Sequence, residues 1–536
     1  VKLAPEERVP LRHGARRYDL TTYGARLALQ AVALLENRWM RNVLWLGKAP
    51  RAQWHSFDRT PWKHPWLTAE NLRQAKAFSG RVFAEAQCVC ESSGRRPLRF
   101  GFVSNIANNL YIRAIALRKM GLDITVYPVP SDDYVMSDPG WEEFDGTIQG
   151  SARTVSELAD LGIHLPRPPG IFRSDEPWTQ TIYSASTLKL LRSTRISDVL
   201  RWPRFFVHLS TLRGLQAMDA LLTLQCPFLA YLSGRPYVVA QMGGDIWYEA
   251  ARDDDLGRIQ RRSFERASAY LASNPWAYAH ARRYGMRHLL YLPQIIDEEA
   301  YSPGESEYRH MWSEQLGGTF FVLSTARADD FFKGNRVGIE GFARFVREFP
   351  HARLLMLGWG EDLSKHLTSF GSLGIADKVA VLPISGKKRL IKYLRAADCL
   401  LDQFVIGYFG ATALEAMACG LPVIMRLEGA QYNALCETGA PPVFNASTSY
   451  EVYAALKHLA LEYGARTRAA LAHREWLVAN HSGKRWHREY EYLLTATALG
   501  HRFDFNRSPL AAPLEQVEIE YHREELAHAP RFPSYH

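Results

Sequence analysis

Residues 97–303 and 304–480 repeat one pattern: a short unbroken apolar run, a polar or glycine-containing turn, an amphipathic segment, then another apolar run. In the first stretch, 98–103 predicts a buried strand, Asn105 to Asn109 a polar loop, 111–120 a helix stopped by Gly121, and 122–129 a second strand. Strand, helix and strand within about 30 residues is a βαβ unit, which requires a parallel sheet. Further strands are expected at 204–209 and 236–240, then helix, strand and helix across 258–284. In the second stretch the strands fall at 319–324, 352–357, 378–382 and 399–402, with helices at 337–349 and 388–397. Apolar runs without alternation are those of strands covered on both faces. The fold class expected is α/β, two Rossmann-like doubly wound domains facing a cleft.

The flanks read differently. Residues 22–46 form an amphipathic pattern, with Leu27, Val32, Leu35, Trp39 and Val43 on one face and Arg26, Arg38 and Arg41 beside it. Such a helix either rests on an anionic membrane or packs on the body with its arginines solvated, and the second is the commoner case. A second helix is expected at 68–91. After Val443 the pattern is mainly helical to Leu499, and Pro509, Pro513, Pro530 and Pro533 then imply an extended tail. The division is a helical extension at 1–96, domains at 97–303 and 304–480, and a helix and tail at 481–536.

Composition changes this picture in two places. The chain has 536 residues, 47 % hydrophobic and 23 % charged, which suits two cores and little long disorder. Its net charge of +9 is concentrated early, since residues 1–60 hold 11 Lys/Arg against 5 Asp/Glu together with Trp39, Trp45 and Trp54. That basic, tryptophan-bearing segment is a candidate for peripheral contact with the inner membrane face, while no nucleic-acid module is recognisable. Six scattered cysteines, with Cys88 and Cys90 spaced wrongly for a zinc ribbon or redox pair, imply a reducing compartment. The start resembles no signal peptide and no apolar run is of membrane-spanning length, so the expected location is cytoplasmic. Asp132-Asp133 and Asp253-Asp254-Asp255 sit in turn-like stretches without further ligands, and no metal site is expected.

The chemistry centres on 407–424, GYFGATALEAMACGLPVI. A glycine turn opens a helix at 411–418, Gly420 stops it, and Leu421-Pro422-Val423-Ile424 restarts as a strand. Amides of Gly410, Ala411 and Thr412 at such a helix start can hold an anion, assisted by the helix dipole. Glu415, one turn inside, is placed for the hydroxyls of a sugar attached to that anion.

Several segments in order resemble family 4 of the retaining glycosyltransferases, whose fold is GT-B. They are Ala326-Arg327 with Lys333-Gly334, the strand end Leu355-Met356-Leu357-Gly358-Trp359-Gly360, Leu394-Arg395-Ala396-Ala397-Asp398, and Leu414 to Ile424. The resemblance covers about 200–480 well, 97–200 moderately, and neither end of the chain. It implies that Arg327 and Lys333 meet the charge that develops on a departing nucleoside diphosphate, as transition-state stabilisation demands. By the same resemblance, Gly358, Gly360, Gly410, Ala411, Thr412 and Glu415 bind the donor, His208 touches the transferred sugar, and Asn105, Asn108 and Asp245 contact acceptor or sugar. With two cations available, the implied chemistry needs no divalent metal and no cofactor beyond the nucleotide-sugar substrate, UDP-sugar being favoured over GDP-sugar.

The family carries a glutamate where this chain has Gly407, and a glycine pair where it has Asn105-Ile106-Ala107-Asn108-Asn109. Asp402 and Gln403 are the polar candidates to compensate for the first loss. The function implied is transfer of a sugar to a glycan, lipid-linked or other glycoconjugate acceptor. The rivals are a catalytically weakened GT-B scaffold or partner subunit, and a nucleotide-sugar epimerase.

Overall fold

The structure is a computed structural model that describes residues 63–94, 97–129, 134–148, 154–172, 209–241, 243–251 and 255–528. Two six-stranded parallel sheets follow each other along the chain. The first comprises β1 (Arg99–Val103), β2 (Asp123–Tyr127), β4 (Ala220–Thr223), β5 (Tyr237–Ala240), β6 (Ala269–Ala272) and β7 (Leu289–Tyr291), ordered β2-β1-β4-β5-β6-β7. The second comprises β8 (Phe320–Ser324), β9 (Ala352–Leu357), β10 (Val379–Leu382), β12 (Cys399–Leu401), β13 (Val423–Met425) and β14 (Phe444–Asn445), ordered β10-β9-β8-β12-β13-β14. Every pairing within these sheets is parallel. This is the two-Rossmann-domain arrangement expected.

Helices cover the faces because their apolar stripes need a partner. Ala69–Ser92, whose first turn is capped by the Thr68 hydroxyl, buries Leu72, Ala75, Phe78, Val82 and Ala86. The helix Gly483–Ala498 follows the second domain in sequence yet returns to the first. Its Tyr490, Leu493 and Leu494 share a core with Phe102, Val126 and Val238. In the second domain, Phe342, Phe345 and Val346 of Asn335–Glu348 pack on Val322, Leu354 and Met356.

Strand order sets where ligands bind. The chain runs outward from β1 to β2 and then returns to β4 on the other side, and it repeats the move from β8 through β10 to β12. A crevice at the carboxyl ends opens where the winding reverses. In the second sheet the loops flanking that point are 325–334, after β8, and 402–410, after β12.

Two expectations need correction. The strand expected at 204–209 falls mostly outside the described residues, but Leu209 opens the helix Leu209–Leu215. The strand beside β1 is instead Ala220–Thr223, a four-residue apolar run too short for periodicity to separate from helix. The tail is not simply extended, since Gln516–His528 is helical. It is pinned by Glu518, whose carboxylate takes Arg282 Nε at 2.8 Å and Nη2 at 2.6 Å. The amphipathic helix expected at 22–46 lies outside the described residues.

The domains are also joined across the cleft. Beyond β2, the segments 134–148 and 154–165 pack around Val135, Trp141, Ile148 and Leu158 and take in Ile384 of the second domain. There β3 (Thr147–Ile148) pairs antiparallel with β11 (Ile384–Ser385), and Gly386 N donates to Gly146 O at 3.0 Å. Lys388–Glu143 at 3.0 Å and Lys392–Asp145 at 2.9 Å reinforce this clasp.

Candidate active site

Asp329 organises the loop after β8. Its Oδ1 accepts from Phe331 N and Phe332 N at 3.1 Å, and its backbone carbonyl accepts from Lys333 N at 2.8 Å and Gly334 N at 3.1 Å. Its Oδ2 lies 2.9 Å from Arg327 Nη2. One carboxylate therefore folds a tight turn and orients the first cation, while its backbone positions the second. The sequence reading missed this residue, although an aspartate followed by two residues whose amides it can cap is a turn signature.

Lys333 reaches across the switch point, donating from Nζ to Gln403 Oε1 at 2.9 Å. Gln403 Nε2 in turn donates to the Tyr408 carbonyl. Burial lowers the pKa of Lys333 and neighbouring Arg327 adds to this, while Asp402 and Asp329 oppose it. Asp402 is 2 % exposed and both its carboxylate oxygens lack a hydrogen-bond partner. Burial raises its pKa against the pull of Lys333. The two groups expected to replace the missing glutamate are thus buried: Gln403 is hydrogen-bonded at both ends of its amide, and Asp402 feels the charge of Lys333.

Across the crevice stands the helix Ala411–Ala418, with Gly410 as N-cap and no side chain capping its amides. A Cβ at Gly410 would meet nothing within 4 Å, so space lies open at this helix start. Gly407 is different. A Cβ there would fall 2.4 Å from Glu428 Cγ, and Glu428 is paired with Arg426 at 3.0 Å. The volume of a side chain at 407 is filled by one from β13's far end.

Gly358 and Gly360 follow the end of β9. Gly358 N donates to Leu382 O at 2.8 Å, and Gly360, at φ +113°, lies directly on Ala328 of the cation loop. Glu415 is 1 % exposed and pairs through Oε1 with Lys387 Nζ at 2.5 Å. Its Oε2 has no partner.

In the first domain, the loop after β1 is strained, with Ser104, Ala107 and Asn108 at φ 67°, 49° and 56°. Asn105 is fully buried, donating to Asn108 Oδ1 at 2.6 Å and to Ser137 O at 2.7 Å, and Asn108 donates to Asp138 O at 2.9 Å. Asp245, also fully buried, accepts from Gly243 N and the Tyr270 hydroxyl, both at 2.7 Å. These three side chains hold loops in shape. His208 lies outside the described residues.

A pair of cations and an uncapped helix start therefore share one crevice. Residues 310–435 match the family described as Glycosyl transferases group 1. This stretch is a glycosyltransferase group 1 domain. It contains the cation loop, Gly358, Gly360 and the helix Ala411–Ala418. The chain is 28 % identical over 162 residues to a mannosylfructose-phosphate synthase of Agrobacterium fabrum, covering 28 % of this chain and 36 % of that protein. It is 35 % identical over 218 residues to a D-inositol 3-phosphate glycosyltransferase of Actinosynnema mirum, covering 39 % of this chain and 51 % of that one. The chain thus spans about half or less of the length of these curated relatives. Among solved structures, Anabaena Alr3699/HepE in complex with UDP and glucose superposes with a TM-score of 0.52 at 15 % identity, over 74 % of this chain and all of that one. The group 1 domain is accordingly the second half of a GT-B fold. No helix among the described residues is long and apolar enough to cross a membrane.

Proposed function

We propose that the protein is a retaining glycosyltransferase that moves a sugar from a nucleotide-sugar donor to a glycan, lipid-linked or other glycoconjugate acceptor without a divalent metal. The observation that carries this reading is Lys333 and Arg327, both set by Asp329, in one crevice with the open helix start at Gly410. A departing nucleoside diphosphate gathers negative charge on its phosphate oxygens. Cations and amides already fixed in place stabilise that charge without reorganising. Lys333 and Arg327 supply the cations, and the amides of Ala411 and Thr412 the dipoles. With two fixed cations the leaving group needs no bound divalent ion for neutralisation.

Retention then follows front-face attack, with the departing phosphate accepting the acceptor hydroxyl's proton, so no enzyme nucleophile is assigned. UDP-sugar is favoured as donor, a choice in keeping with the UDP bound by the Anabaena protein. The acceptor is placed on the first domain. Residues 1–60, basic and rich in tryptophan, are assigned a peripheral contact with the inner membrane face on the cytoplasmic side.

The test is turnover of UDP-, GDP- and dTDP-sugars by the full chain, with Lys333→Ala as control. Hydrolysis or transfer from one nucleotide class, lost in the variant, supports the reading. No binding and no turnover across the panel by a folded sample overturns it.

A further inference from the structure

Two tryptophans of the first domain reach the loops that carry the cations. Trp247 stands on the single π-helical turn Asp245–Glu249, after β5, and Trp276 is the N-cap of the helix Ala277–Arg283, after β6, so both leave the carboxyl edge of the first sheet. Trp247 N donates to Gly243 O at 2.9 Å, and Gln241 Oε1 fixes the loop before Trp276 by accepting from Ser273 N and Asn274 N at 3.0 and 3.1 Å. The two buried indoles lie 5.9 Å apart between ring centres, and both pack on His280. Trp247 meets Phe332 edge-on at 6.3 Å, and Trp276 meets Tyr408 at 5.4 Å. These are the spacings of attractive aromatic pairs, about 4.5–7 Å. Phe332 and Tyr408 belong to the second domain, one in each loop flanking its switch point.

Both second-domain rings lie beside Arg327. Its guanidinium carbon is 5.6 Å from the centre of the Phe332 ring, within cation–π reach. Burial raises the pKa of the Tyr408 hydroxyl and the charge of Arg327 opposes this, so that charge is felt at Tyr408 as well. The Arg327 side chain is 44 % exposed, and an ion pair as open as the one it makes with Asp329 is a weak restraint on a long side chain. The rings supply a second restraint. We propose that Trp247 and Trp276 are positioning residues for the leaving diphosphate: by backing Phe332 and Tyr408 they hold Arg327 where it meets the new charge, so that the first domain sets a cation of the second. The proposal rests on the nucleotide-sugar reading above. Charge grows at the terminal phosphate, where the bond to the sugar breaks. A displaced Arg327 is therefore felt at that phosphate and not at the nucleoside.

The experiment is calorimetric titration of the full chain with UDP and UMP, and in parallel with GDP and GMP. Trp247→Leu and Phe332→Leu keep apolar bulk but lose the ring. Each should weaken the diphosphate about 2–10-fold, the scale of one aromatic pair, and leave the monophosphate unchanged. The double variant should be no weaker than the worse single one, because one path is broken twice, and Trp247→Phe should restore the diphosphate affinity. Thermal melting of each variant confirms that it is folded. Trp276→Leu should repeat the result through Tyr408, and it supplies the first-domain arm if Trp247→Leu fails to fold. A diphosphate-to-monophosphate ratio unchanged in the tryptophan variants, or losses that multiply in the double variant, overturns the positioning role and leaves the glycosyltransferase reading standing. Failure of the folded wild type to bind any nucleoside diphosphate overturns both.

Discussion

Replacing Gly360 by alanine tests how the cation loop is held. Gly360 has φ +113°, a region in which side-chain-bearing residues are strained by about 1–3 kcal/mol. A Cβ there would stand 2.4 Å from both N and O of Ala328, which are backbone atoms and cannot swing aside. They are also tied down: Ala328 N donates to Trp359 O at 2.8 Å, and Asp362 N donates to Ala328 O at 3.0 Å. Making room separates the two loops at the cost of those hydrogen bonds, each worth about 1 kcal/mol net. Alanine recovers about 0.4–1 kcal/mol by restricting the unfolded chain. The net expected loss is about 3 kcal/mol, or about 6–12 °C for a unit the size of the second domain. Ala328 follows Arg327 and precedes Asp329, so the shift also misplaces both cations, and nucleotide affinity should fall by more than the melting change explains. The control is Gly410→Ala, where the open space and an ordinary φ of −109° predict no loss of stability. Differential scanning fluorimetry without ligand, then with saturating nucleotide, reads both effects. A Gly360→Ala protein melting within about 2 °C of wild type would refute this account of the loop.

The remaining expectations concern charge. Lys333→Ala should lower turnover about 10²–10³-fold, the usual scale for one electrostatic contact to developing charge, with little loss of melting temperature because a half-buried cation is removed; initial-rate kinetics and melting measured together check this. Burial, helped by Glu415 and opposed by Lys387 and Tyr301, raises the Glu142 pKa to about 7. The folded chain therefore holds that proton more tightly than the unfolded one, and the associated stability is present below about pH 4.3 and lost as pH rises through about 7. Glu142→Gln removes that slope, so its stability relative to wild type should improve between pH 5 and 8 by on the order of 3 kcal/mol, and a gap constant across a pH series of denaturation curves refutes it. Glu518→Ala strands Arg282 in a site where the pair is 3 % and 2 % exposed, costing about 3–5 kcal/mol and exposing the tail to limited proteolysis.

What could be read in advance was whatever depends on neighbours in sequence. The helix 411–418 is bounded by Gly410 and Gly420 in the structure as in the pattern, because glycine punctuation and an apolar stripe are local properties. The strands flanking the second switch point are likewise complete apolar runs, so the crevice between loops 325–334 and 402–410 follows from strand order. The residues that decide how the crevice works are set by contacts that no local pattern carries. Glu142, Lys387 and Glu415 come together from three separate segments, with the clasp between. Glu428 fills the volume beside Gly407 from 21 positions further along the chain.

The substitution at Gly407 is therefore coupled to a second one in space. A glutamate restored at 407 meets Glu428 Cγ before it reaches the crevice, and the Arg426 partner that now holds Glu428 would have to release it. The clasp is a separate contact from this one, and opening it by Gly386→Ala, whose Cβ would sit 2.2 Å from the Phe144 carbonyl oxygen, should speed limited proteolysis around 134–148 while nucleotide binding through Lys333, Arg327 and the helix start is retained; proteolysis unchanged from wild type would refute the role given to Gly386.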